Sequence, residues 1–180
     1  WLLERFAGHE LHIGADTFFQ VNTAQAERVV PLLVDFFSEQ PNTQVLEAYC
    51  GIGTFSLPLA AAGLDVLGLE LNHASVAQAR ANAERNALPK ARFEQADVAA
   101  SLAEHLAWAE ALLVDPPRKG LAPEVMEAIL QAPPRRIAYI SCNPATLARD
   151  LGLLSEAGYR IRPIQPVDFF PQTSHVECVA

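Results

Sequence analysis

Four short stretches of this chain hold residues that could do chemistry. Tyr49-Cys50-Gly51-Ile52-Gly53-Thr54 has two closely spaced glycines, and Asp115-Pro116-Pro117-Arg118 sets an acid beside two prolines. Ser141-Cys142-Asn143-Pro144 offers a thiol, and His175-Val176-Glu177-Cys178 puts a carboxylate inside an apolar run. A glycine loop for a nucleotide-sized cofactor, a rigid loop for a planar base, a nucleophile and a base together suit one reaction. That reaction is methyl transfer from S-adenosylmethionine to C5 of a pyrimidine in RNA. C5 of uracil is a poor nucleophile until something adds at C6, and a thiolate is suited to that addition.

The glycines of Gly51-x-Gly53 allow a tight turn and close backbone approach to a ligand. Ser56 stands where a dinucleotide fingerprint has its third glycine, which argues against a pyrophosphate. Glu70 ends the next strand and can accept from both hydroxyls of a ribose; Asp97 ends the one after and can meet an adenine. Pro116 and Pro117 fix φ and remove donors, so the Asp115 carboxylate and the loop carbonyls can hold a base, with Arg118 alongside. Cys142 precedes a helix whose positive end is expected to lower the thiol pKa from about 8.5. Cys50 and Cys178 read as small buried hydrophobes. Along the last strand, His175 and Glu177 point one way, Val176 and Cys178 the other. If burial raises its pKa toward neutrality, Glu177 can take the C5 proton, with His175 as an orienting partner. In Phe18-Phe19-Gln20-Val21-Asn22 the aromatics can stack on a base or simply pack in the core. Gln20 can bond a nucleobase or the cofactor's amino-acid end. Each motif taken alone has a plainer reading: a turn, a solvated acid, a buried thiol or a rim salt bridge. Only the set argues for a site.

The elements that must position these residues alternate. After a short strand or hairpin arm and loop over 11–22, Asn22 can N-cap a helix from Thr23 to about Glu39, kinked at Pro31. Strands are predicted over 45–48, 64–70, 91–95, 111–115 and 137–141, and helices over 55–62, 73–87, 99–108, 123–131 and 145–157. Two final strands, 159–167 and 175–180, have no helix between them and should pair as an antiparallel hairpin. Such alternation implies an α/β fold with a mainly parallel sheet, which binds ligands beyond the carboxyl ends of its strands. Gly51, Glu70, Asp97, Asp115 and Cys142 each follow a strand, so all five belong to one rim.

At 180 residues the chain fits one domain. No apolar run reaches the ~18 residues of a membrane span, so no membrane partner is expected. Three cysteines without CxxC spacing give neither a disulfide framework nor a metal site, as in a reducing cytoplasm. Trp1 rather than Met opens the sequence, so it reads as a fragment or a processed piece, and no signal peptide is expected before it. A net charge of −8 and a pI near 5.0 argue against a stand-alone nucleic-acid clamp.

Taken together, Phe18-Phe19-Gln20-Val21-Asn22, Tyr49 to Leu57, Asp115-Pro116-Pro117-Arg118, Ser141-Cys142-Asn143 and Phe170-Pro171 to His175-Val176-Glu177 resemble the RNA 5-methyluridine methyltransferase family. The match follows the family's order over nearly the whole chain. It implies a Rossmann-like class I S-adenosylmethionine-dependent methyltransferase fold, with a mainly parallel seven-stranded sheet and a C-terminal antiparallel hairpin. Cys142 is then the nucleophile and Glu177 the proton acceptor. Gln20, Tyr49, Thr54, Glu70 and Asp115 surround S-adenosylmethionine with Gly51 and Asp97, and Phe19, Pro116, Pro117 and Arg118 face the uridine. No metal is implied. Glu47 stands where the family usually has Asp. Members typically carry an N-terminal RNA-binding β-barrel that this chain lacks. Residues 1–22 thus read as a lead-in hairpin, 23–180 as the catalytic domain, and a missing RNA-binding domain as a needed partner. The implied activity is that of an RNA (uracil-5-)-methyltransferase acting on ribosomal RNA, or alternatively on transfer RNA. An exocyclic-amine methyltransferase needs no thiol and usually has an aromatic residue in place of Arg118. A 5-methylcytidine enzyme would carry a cysteine in the proline loop. A non-catalytic RNA-binding or assembly module would have no use for Cys142, Glu177 and the Gly51 loop together.

Overall fold

The structure, a computed structural model, describes residues 1–40 and 42–180. The chain opens with an antiparallel pair, β1 (Leu2–Phe6) and β2 (His9–Ile13). Ala7 and Gly8, with φ of 47° and 84°, make the left-handed two-residue turn that matches strand twist. The lead-in is therefore two strands, the first starting well before the arm predicted from Leu11. Phe6 and Leu11 anchor it in the core.

Helix α1 (Thr23–Phe37) starts at Asn22, whose side chain accepts from the Gln25 N–H. It runs on through Pro31, which lies on its exposed side. Then come β3 (Gln44–Ala48), α2 (Ser56–Ala61), β4 (Asp65–Glu70), α3 (His73–Arg85), β5 (Ala91–Gln95), α4 (Val98–Leu106) and β6 (Ala111–Val114). After these follow α5 (Pro123–Gln131), β7 (Arg136–Ser141), α6 (Pro144–Glu156), β8 (Gln165–Val167) and β9 (Glu177–Val179). The large sheet has seven strands in the order β5-β4-β3-β6-β7-β9-β8. The first five are parallel; β9 runs antiparallel to both β7 and β8.

Strand alternation divides the core. Val45, Leu113 and Ile140 face α1, α2 and α3, while Leu46, Leu112 and Tyr139 face α4, α5 and α6. Near-continuous apolar runs such as Ala111-Leu112-Leu113-Val114 mark strands covered on both faces. The predicted strand 159–167 shrinks to Gln165–Val167. Residues 160–164 are exposed and include Pro163, which cannot donate to a ladder. The two final strands still close the sheet as an antiparallel pair at one edge.

Candidate active site

Strands β3 and β6 are neighbours in the sheet although two strands and three helices separate them in sequence. From β3 the chain winds outward to β5, and from β6 it winds the other way. Connections diverge at this point and leave a crevice above the strand ends. A cavity of about 720 Å³ lies there. It is lined by ten of the residues expected at the site: Gln20, Tyr49, Gly51, Glu70, Asp115, Pro116, Pro117, Arg118, Cys142 and Glu177.

The loop after β3 is shaped by strain and contact. Tyr49 sits at φ 67°, an outlier for a bulky residue of the kind that collects at functional sites. Gly51 is left-handed too, with nothing within 4 Å of where a Cβ would stand, so its backbone is open to the cavity. Gly53 differs. A Cβ there would lie 2.5 Å from Leu57 Cδ1 and 2.8 Å from Phe93 Cζ, so packing beneath the loop requires glycine. Glu70 holds the loop, accepting the Gly51 N–H at 3.1 Å on one oxygen and the Asn72 N–H at 2.8 Å on the other. Each oxygen keeps a lone pair for a further donor.

Carboxyl groups crowd the cavity. Burial, and then the neighbouring Glu177, push Asp115 up to about 8. Burial likewise raises Glu177 to about 7, and its Oε2 is buried with no hydrogen-bond partner among the described residues. Glu47, facing α2 from β3, reaches about 8 through burial, although the Ser56 hydroxyl donates to it. Gln20 Nε2 donates to Asp115 Oδ2 at 3.5 Å. An ionised acid placed here lacks water and gains like-charged neighbours, so a cation entering the cavity would relieve both penalties.

The thiol departs from expectation. Burial, Glu177 and Asp115 raise Cys142 above the ordinary thiol range, and a backbone hydrogen bond and Arg118 offset only part of this. The helix start has few donors left with which to compensate. Pro144 has no N–H, and the Asn143 side chain accepts the Ala145 N–H at 3.1 Å. In β9, Glu177 faces the cavity while Cys178 packs among apolar residues, the alternation read from the sequence. His175 lies just before the strand, with its Nδ1 3.5 Å from an Arg118 nitrogen.

Three expected residues do not reach the cavity. Phe19 turns inward and meets the Phe6 ring edge-on at 5.9 Å, and Phe18, 64% exposed, takes the cavity wall. Thr54 is buried in the turn just before α2. Asp97 is the N-cap of α4, its Oδ1 accepting the Ala99 N–H at 3.0 Å. Sequence reading passed over Asp16, Asn72 and Ser75, which also line the cavity, as does Phe170 from the stretch that carries the resemblance. Only Asn72 carried a signal, since an Asn directly before a helical run is a capping residue.

The sequence matches the family model described as tRNA (uracil-5-)-methyltransferase over residues 7–180. Among curated relatives, an uncharacterized RNA methyltransferase of Parasynechococcus marenigrum is 52% identical over 98% of this chain and 39% of its own length. One from Streptococcus mutans is 44% identical over 96% of this chain and 39% of its own. The chain thus spans about two fifths of the length of these relatives. Among solved structures, the tRNA (uracil-54, C5)-methyltransferase of Pyrococcus abyssi, in complex with S-adenosyl-L-homocysteine, superposes with a TM-score of 0.85 at 35% identity. That match covers 99% of this chain and 43% of that one. A magnesium protoporphyrin IX methyltransferase of Synechocystis with bound SAM has a TM-score of 0.67 at 17% identity, over 93% of this chain and 85% of that one. At that distance the likeness shows only the Rossmann-like methyltransferase fold. With the family model spanning all but six residues, and with relatives of this identity, the chain belongs to the tRNA (uracil-5-)-methyltransferase family.

Proposed function

We propose that this chain is the catalytic part of an S-adenosylmethionine-dependent enzyme that methylates C5 of a uridine in RNA through a covalent bond from Cys142 to C6. One observation carries the reading: a thiol, an unpaired buried carboxylate and a proline-stiffened acid line a single cavity at the point where the sheet's connections diverge. The cavity volume is within the usual range of small-molecule sites.

The residues present fit the cofactor. Glu70 has lone pairs free for a ribose diol, Gly51 leaves its backbone bare, and the crowded acids suit a ligand that is positive at sulfur and at its amino group. Gln20, Tyr49 and Asp115 complete the cradle. When bound, S-adenosylmethionine supplies an electrophilic methyl group at its sulfonium. The rest of the chemistry falls to the chain. A uridine turned out of its stack lies against Pro116 and Pro117, with Phe18 exposed at the mouth to stack on it. The Cys142 thiol gives its proton to solvent, and the thiolate forms a bond to C6; the C5–C6 π electrons move toward the C4 carbonyl and make C5 nucleophilic. After C5 is methylated, Glu177 takes the C5 proton, the C5–C6 double bond reforms, and the bond to Cys142 breaks. The Cys142 thiolate is regenerated, and the C5 proton has passed to Glu177.

Likeness to the Pyrococcus transfer-RNA enzyme favours transfer RNA over ribosomal RNA as the substrate. With a net charge of −8 the chain has little electrostatic grip on a polyanion, so we assign much of the RNA binding to parts of the longer protein outside these residues. RNA carrying 5-fluorouridine at the target should become covalently attached to the full-length protein, because fluorine cannot leave as a cation. Cys142→Ala should abolish both adduct and turnover while cofactor affinity stays within about twofold. Normal methylation by that variant would make Cys142 a packing residue and end the proposal.

A further inference from the structure

The loop holding Pro116, Pro117 and Arg118 is fastened to the helix that follows Cys142. It turns back on itself through the Gly120 N–H, which donates to the Pro117 carbonyl at 2.8 Å, with Gly120 at φ 76°. Asn143 Nδ2 and Thr146 Oγ1 both donate to the Arg118 carbonyl, at 3.0 and 3.4 Å. Arg149 Nη2 donates to the carbonyls of Lys119 and Leu121, at 3.1 and 3.3 Å. Asp150 completes the clamp. Its Oδ2 accepts the Leu121 N–H at 2.9 Å and the Tyr139 hydroxyl at 2.8 Å, and its Oδ1 accepts Arg149 Nε at 2.8 Å.

Asp150 stands where stability alone would favour something else. It is 1% exposed and belongs to the buried stripe Leu147, Asp150, Leu154 of α6. A well-packed apolar side chain at such a position is commonly as stable as a buried ion pair, or more so, and makes no directional bonds. What the carboxylate adds is direction. It bonds one β7 side chain, one α6 side chain and one loop amide at once. The loop is built to receive it, since a Cβ on Gly120 would lie 2.6 Å from Asp150 Oδ2 and 2.7 Å from Arg149 Nη2.

We propose that Asp150, acting with Arg149, is a positioning residue that sets the proline loop at a fixed height over the Cys142 thiol, so that a base resting on Pro116 and Pro117 presents C6 to sulfur. This rests on reading Cys142 as the nucleophile. Asp150 touches neither substrate nor cofactor and acts through the loop it holds.

The test uses full-length protein, 5-fluorouridine RNA and two variants that strain the clamp from opposite sides. Asp150→Asn keeps the volume but loses the charge that holds Arg149. Gly120→Ala leaves the buried acid intact and forces the loop away from it. Each should slow adduct formation by about 10–100-fold, the usual result of a misplacement near 1 Å. The kcat for methylation should fall in step, while KM for S-adenosylmethionine stays within about twofold. Amide exchange should quicken at Leu121 and stay unchanged in β4, and alkylation of Cys142 by iodoacetamide without RNA should keep its normal rate. A purely structural role would lower Tm and leave the adduct rate per folded molecule unchanged, and that result overturns the proposal. If Asp150→Asn does not fold, Gly120→Ala decides alone. A wild-type protein that forms no adduct removes the nucleophile reading and this role with it. A wild type that forms one no faster than folded variants removes only the role of Asp150.

Discussion

A carboxylate with one oxygen buried and unbonded is costly in a resting protein, and a rim salt bridge would leave no such atom. Glu177 is therefore the residue whose replacement is most informative. In the proposed sequence, thiol addition and methylation precede loss of the C5 proton, so blocking that loss should stop the reaction late. Glu177→Gln keeps size and hydrogen-bonding capacity but is no effective base. The expected outcome is an accumulated Cys142–RNA adduct already carrying the methyl group, with turnover down by about 10²–10⁴-fold. Because the free acid titrates near 7, the wild-type rate should climb as pH rises through that value, and the residual Gln rate should lack this limb. Mass spectrometry of the trapped complex decides the matter; an unmethylated adduct would move the base role to another group. Glu177 was legible in the sequence because an acid inside an apolar strand has one face to choose. The state of Cys142 was not. Proximity to a helix start suggested an activated thiol, but Pro144 has no N–H and Asn143 takes that of Ala145, while burial and then the acids around the thiol act in the other direction.

At the scale of elements, Gly51 and Gly53 look alike in sequence and do different work in the β3–α2 loop. Gly53→Ala should destabilise the fold by roughly 1–3 kcal/mol, since the added methyl meets Leu57 and Phe93 from a left-handed backbone. Gly51→Ala should cost only about 1 kcal/mol of stability, because the space around it is open, but its methyl enters the cavity and should weaken binding of S-adenosylmethionine. Denaturant melts and calorimetry on the pair check the split; equal loss of stability with unchanged affinity would place the cofactor elsewhere. The sequence distinguished the elements better than it distinguished these glycines. Strand and helix periods located all five parallel strands of the large sheet and every helix to within a few residues. Central strands such as β3 and β6 are buried on both faces, the edge strand β5 alternates buried and exposed residues, and side-chain caps mark the starts of α1, α3, α4 and α6. Irregular segments have no period. Nothing in Phe18-Phe19 says which ring turns inward, and the run before β8 contains Pro163 and exposes the residues a strand would pair.

For the whole molecule, the crowded acids couple stability to pH. Glu47 and Asp115 titrate near 8 and Glu177 near 7 when folded, against ordinary values of 4.5, 3.8 and 4.5. All three are raised, so between about pH 4 and 8 the folded chain binds more protons than the unfolded one, and stability must fall as pH rises. The contribution is fully present below the ordinary carboxyl values and is lost as pH passes through 7 to 8. His9, lowered by burial, works the other way at its more acidic range, and its partial exposure keeps that term small. The protein without cofactor should therefore be most stable in mildly acidic buffer, with Tm dropping toward pH 9. Glu47 is the best probe, because it lies beneath the cavity and takes no part in the proposed proton transfers. Glu47→Gln can still accept the Ser56 hydroxyl but carries no charge to penalise. Relative to wild type it should gain on the order of 2–4 kcal/mol between pH 5 and pH 9, the linkage expected for one deeply buried acid released from titration. Denaturant melts of both proteins across that range give the answer. Parallel stability curves would mean that Glu47 ionises without cost, through a counter-charge or water that its surroundings do not suggest. Adding S-adenosylmethionine should flatten the wild-type curve, because a cation among these acids favours their ionised forms, and should change the Gln variant less.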